Sequence, residues 1–172
     1  MHGFDKFLIK CIMDIFEYDR AAAYAYAKKW AYKRNPAFYD FSEIGGDCTN
    51  FASQCIYAGA GIMNYTPTYG WFYKSANDRT PSWTGVEYLY NFLVNNEGAG
   101  PFAEVVPLTE LKVGDIVQLG RSTGDFYHSP VVVENRNGRI LVAAHSYDAF
   151  NKPLSSYRFE QARGIHILGV RK

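Results

Sequence analysis

The chain has 172 residues, 18 basic and 17 acidic side chains and a formal charge of +1. That length fills a single domain with its own core, and so even a balance gives no electrostatic basis for binding nucleic acid or an anionic membrane. Three cysteines (Cys11, Cys48 and Cys55) are too few, and odd in number, for a disulfide framework.

Lys10 and Asp14 interrupt the apolar start and no small-residue cleavage site follows, so neither a signal peptide nor a membrane span is expected. A cytoplasmic location is the default, with release to the cell wall as the other route. The first half reads helical and the second half reads as strands, which predicts an α+β domain over 1–172: a helical extension at 1–17 and a core at 18–172. An amphipathic helix is expected over 4–16. A second runs from a cap at Asp19 through alternating alanines and tyrosines to about Lys33, ended by Asn35-Pro36.

Gly45-Gly46-Asp47 turns the chain into a third helix over 48–57, with Phe51, Ala52, Cys55 and Ile56 on its buried face. A fourth begins at Ser82 or Thr84 and presents Val86, Leu89, Tyr90 and Leu93. Strands follow at 116–119, 130–134, 140–145 and 164–170. Asn135-Arg136-Asn137-Gly138 is a hairpin turn between the middle two. The expected product is a small antiparallel sheet packed on helices.

Cys48 stands where a glycine turn enters a helix. Helix N-termini carry partial positive charge and free N–H groups, which favour a thiolate and could hold an oxyanion. The carboxylate of Asp47 is expected to cap the helix instead of facing the sulfur. Cys55, between core positions, reads as structural. His128 and His145 flank the hairpin. In the even registers it allows, they share one face, roughly 5–8 Å apart at Cβ, and a bulge would break that parity. A cysteine at a helix start and a strand histidine, oriented by a second polar group, form a nucleophilic layout. Asp148 rivals His145 as that group. His166 reads as a satisfied strand histidine and Asp115 as a turn residue. Tyr69 and Trp71, in a Gly-rich aromatic loop, and Asp47 are candidates for contacting substrate. Trp83 reads as buried.

Tyr18-Asp19-Arg20-Ala21-Ala22-Ala23-Tyr24-Ala25, Gly46-Asp47-Cys48-Thr49-Asn50-Phe51-Ala52-Ser53-Gln54-Cys55, Pro81-Ser82-Trp83-Thr84-Gly85 and His128-Ser129-Pro130-Val131-Val132 resemble the bacterial "putative amidase" domain family. That family is similar to NlpC-like and CHAP amidases of the papain-like fold. The resemblance extends over nearly the whole chain from Tyr18. It implies Cys48 as nucleophile, His128 as base, a polar third residue, and a peptide or cell-wall amide as substrate; the sequence itself carries no sign of a required cofactor. Two other readings stand beside it: a Cys48–His128–His145 zinc site, and an inactive binding module that uses Tyr69, Trp71 and Trp83. Acyl transfer to an acceptor other than water, and the oligomeric state, stay open.

Overall fold

The structure is a computed structural model and describes residues 12–172. The helix expected over 4–16 lies largely outside these residues. Its last two positions, Ile15–Phe16, are instead a short strand, β1, paired antiparallel with the last strand of the chain. Ile15 and Phe16 are both exposed, so no buried stripe exists there to favour a helix.

Helix α1 (Arg20–Trp30) begins where the Asp19 carboxylate accepts a hydrogen bond from the Ala22 N–H at 2.9 Å, as the cap expectation required. It packs Ala23 and Ala27 against α2 (Cys48–Ala60), whose residues are nearly all buried. The two helices approach closely because α1 offers methyl groups and α2 offers Gly59. The Asp19 N–H bonds the Gly59 carbonyl at 3.0 Å, and a Cβ on Gly59 would collide with the Tyr18 ring. Gly61, at φ 68°, closes α2 in the left-handed conformation.

A hairpin of β2 (Tyr73–Ser75) and β3 (Asp78–Arg79) precedes two helices. The single fourth helix expected from periodicity is divided at Gly85 into α3 (Pro81–Thr84) and α4 (Val86–Asn95). Gly85, at φ −107° and ψ 128°, is extended and interrupts the helical backbone. Trp83 of α3 is fully buried, as expected of a residue that begins a core-facing helix.

The remaining strands are β4 (Gly100–Val106), β5 (Ile116–Gly120), β6 (Phe126–His128), β7 (Val131–Arg136), β8 (Arg139–Ala144), β9 (Ala149–Pro153) and β10 (Gln161–Arg171). They form one curled antiparallel sheet in the order β1-β10-β5-β7-β8-β9, with β4 also on β10 and β6 also on β5. Both faces of its middle are covered. Ile116, Val131, Val133 and Ala143 join the helices in the larger core, while Val117, Leu119, Val132, Ile140 and Val142 pack with Leu111 and Leu154 in a smaller one. Strands buried on both faces read as continuous apolar runs, and Val131-Val132-Val133 does.

Just before β5, the Asp115 carboxylate gathers Arg20 Nη1 at 2.8 Å, His166 Nδ1 at 2.7 Å and two backbone N–H groups. Asp115 thereby ties α1, its own turn and β10 together, and His166 is a satisfied strand histidine, as expected. Among the described residues no helix is long and apolar enough to cross a membrane.

Candidate active site

Cys48 is the first residue of α2. Gly45 and Gly46, at φ +83° and +101°, make the turn that delivers it, and a Cβ on Gly46 would lie 3.2 Å from the Ser146 hydroxyl. Cys48 is only 8% exposed. Its Sγ lies 3.8 Å from Thr49 Oγ1. Ser129 directly follows His128 and is fixed by two bonds: Thr49 Oγ1 donates to its hydroxyl at 3.3 Å and Gln118 Nε2 at 3.1 Å. Gln118 is in turn held by Arg163. The segment carrying His128 is thereby bound to the start of α2.

Burial pushes the Cys48 thiol above its ordinary range. The hydroxyl of Thr49 and the backbone N–H groups of Ser129 and Thr49 oppose that rise, and the charge of Asp47 adds to it. The expectation of a lowered thiol is therefore corrected. The helix start does supply hydrogen bonds, but desolvation outweighs them.

His128 is also 8% exposed, and burial, with the nearby charge of Lys152, depresses it from 6.5 to about 4. It is a neutral imidazole at neutral pH, the form in which a base accepts a proton. Its ring lies 5.6 Å from that of Tyr157, over which the Lys152 ammonium sits at 4.0 Å. The Tyr157 hydroxyl is buried without a hydrogen-bond partner among the described residues. The sequence offered no motif for Tyr157 or Lys152. They come from β9 and the turn after it, a stretch in which no strand was expected.

His145 does not join this pair by any hydrogen bond. Its Nδ1 meets Asp47 Oδ2 at 2.5 Å, its Nε2 meets the Trp30 carbonyl at 2.9 Å, and its ring stacks on Phe51 with centroids 4.0 Å apart. Both nitrogens thus face oxygen atoms of other segments. The shared face deduced from hairpin register is overturned by a bulge. Val132 pairs with Val142, but Glu134 pairs with Leu141, so Val133 is an extra residue and the side-chain alternation slips.

Asp148, the rival third residue, is bound by Arg34 at 2.9 and 3.0 Å. Among the described residues no side-chain hydrogen bond orients the His128 ring. Nor do any three His, Cys, Asp or Glu side chains gather there to hold a metal, so Cys48, His128 and His145 are not brought together as a ligand set.

Two expected substrate contacts are corrected. Asp47 is fully buried, and its carboxylate binds His145, the Phe41 N–H at 2.8 Å and Asn50 Nδ2 at 2.9 Å. It occupies the cap position of α2 without bonding the helix N–H groups. Trp71 is fully buried and donates to Ser53 Oγ at 3.1 Å, since a bulky ring between α2 and α4 fills core space. Tyr69 is exposed, as a cleft residue should be, but it lines a different cavity. Cys55 is fully buried, and Cys11 lies outside the described residues.

An α+β domain thus holds a thiol at the start of a buried helix and a buried histidine at the end of a strand. Residues 17–168 match the family described as "Putative amidase domain", and the chain belongs to that family. Two uncharacterized Bacillus subtilis (strain 168) proteins are similar to it. YhbB is 36% identical over 138 residues, which cover 78% of this chain and 43% of YhbB. YjcM is 26% identical over 162 residues, which cover 90% of this chain and 37% of YjcM. The chain thus spans less than half the length of either relative. No solved structure matches it significantly.

Proposed function

We propose that this domain hydrolyses an amide bond by a cysteine-nucleophile mechanism on a papain-like fold, acting on peptidoglycan stem peptides or a related amide. The observation that carries the reading is the tie between the start of the Cys48 helix and the residue after His128, made by Thr49 Oγ1 and the Ser129 hydroxyl at 3.3 Å. His128 takes the thiol proton as Sγ attacks the carbonyl carbon. The N–H groups at the start of α2 receive the developing oxyanion. The C–N bond then breaks, the amine leaves with the proton from His128, and a thioester remains on Cys48. Water, deprotonated by His128, releases the acid and restores the thiol. A raised thiol and a lowered imidazole make the resting pair neutral, so proton transfer accompanies attack. His145 and Asp47 then act by holding the helix entry in place.

One observation favours a second reading, binding without chemistry: no side chain among the described residues orients His128 by a hydrogen bond. The two are separated by incubating the protein with soluble stem-peptide fragments and reading both amine release and the mass of the Cys48 peptide. Hydrolysis with an acyl adduct on Cys48, lost in Cys48→Ala and reduced at least about a hundredfold in His128→Ala, is the expected result. Hydrolysis that survives Cys48→Ala would end the nucleophile assignment. Binding of fragments without turnover would establish the second reading.

A further inference from the structure

We propose that the cavity between loop 66–70 and α4 is a binding site for a neutral carbohydrate. It has a volume of about 450 Å³, within the range of small-molecule sites. Neither Cys48, His128 nor Ser129 lines it, so the inference does not rest on thiol chemistry.

The lining explains the ligand class. Tyr69 and Tyr88 border the cavity and are 84% and 62% exposed. Tyrosines left this open contribute little to folding, but each offers an apolar ring face with a polar tip. A pyranose presents the complement: a face of C–H groups ringed by hydroxyls. Asn91 and Asn95 supply side-chain amides, which donate and accept as sugar hydroxyls do. Asn95 Nδ2 bonds the Asn91 carbonyl at 2.9 Å, leaving its own oxygen for another donor. The Asn91 amide has no hydrogen bond to a described residue. Glu97 is the one Asp, Glu, Lys, Arg or His in the lining. With no cation present, phosphate and carboxylate ligands have nothing to pair with. The walls are a helix and loops, so an extended peptide has no strand edge to join.

The loop is also held ready. Thr68 has φ +64°, a conformation costly for a β-branched residue. It is kept there by Thr66 N–H to Asn64 Oδ1 at 3.0 Å and Gly70 N–H to the Thr66 carbonyl at 2.9 Å. Ser82 Oγ adds a bond to the Gly70 carbonyl at 2.6 Å. Backbone strain spent to display an exposed ring serves binding better than it serves packing.

The test is a titration of the nitrogen-15-labelled full chain with three trisaccharides in turn: the N-acetylglucosamine trimer, cellotriose and maltotriose. At least one should saturably shift the amides of Tyr69, Tyr88, Asn91 and Asn95. Tyr69→Ala and Tyr88→Ala should each weaken that binding about tenfold, the scale of one lost ring contact. Both rings are exposed, so an otherwise unchanged spectrum will show that the variants fold. Cys48→Ala should bind unchanged, which separates this outcome from the fate of the hydrolase reading. The proposal is overturned if no trisaccharide shifts those amides, if the shifts survive both substitutions, or if they centre on Cys48 and His128.

Discussion

His128 is opposed twice when it takes a proton, first by burial and then by the ammonium of Lys152. Its depression to about 4 sets where activity should fail in acid. The acid limb of kcat/KM, which reports the free enzyme, should fall near pH 4 instead of near 6.5. Lys152→Met removes the smaller cause and should move that limb upward, still short of 6.5 because burial persists. A limb that stays in place would mean that His128 is not the base or that Lys152 does not act on it. Of this pair the sequence disclosed the identities and little else. A glycine turn before Cys48 marks a helix start, but the burial that raises the thiol is a tertiary effect, set by segments distant in sequence such as that of Ser129. No local pattern around Cys48 reports those.

Three segments meet at His145: the end of α1 through the Trp30 carbonyl, the cap of α2 through Asp47, and the turn after β8 that carries the histidine itself. Ser146, at φ 57°, reinforces the join by accepting the Asp47 N–H at 2.9 Å. His145→Ala would remove the shortest hydrogen bond to a fully buried carboxylate, leaving it the Phe41 N–H and Asn50 Nδ2, with the Arg34 Nε 3.7 Å away. Losing a hydrogen bond to a buried carboxylate costs about 1.5–3 kcal/mol, measurable by urea unfolding. Asp47→Asn in the same chain should recover part of that loss. A cost below about 1 kcal/mol would show the contact to be incidental. Helix α2 was legible because its apolar residues repeat at 3.6 and glycines bracket it. The role of His145 was not, because it hung on strand parity. A bulge at Val133, in an unbroken valine run, leaves no mark that distinguishes one valine from the next.

Stability of the entire fold should carry the signature of the same buried imidazole. The folded pKa of about 4 lies below the unfolded 6.5, so the folded state binds fewer protons. His128 therefore costs nothing above pH 6.5 and erodes stability as pH falls toward 4, by at most about 3 kcal/mol. Urea midpoints across that interval should decline in the wild type and decline less in His128→Gln. Parallel declines would place the acid sensitivity elsewhere. The α+β class and the antiparallel sheet followed from helical periodicity giving way to β-branched runs. Strand β4 went unseen because Gly100-Pro101 reads as a breaker, and β1 because two residues make no pattern; both are recruited by the length of β10.

Strand β1 and the end of β10 lie side by side, with Asp14 and Lys172 exchanging hydrogen bonds at 3.2 and 3.1 Å. Tension applied at these two points would not shear the sheet. It would unzip β1 from β10 one rung at a time, so the seam yields at low force while the helices and both cores stay intact.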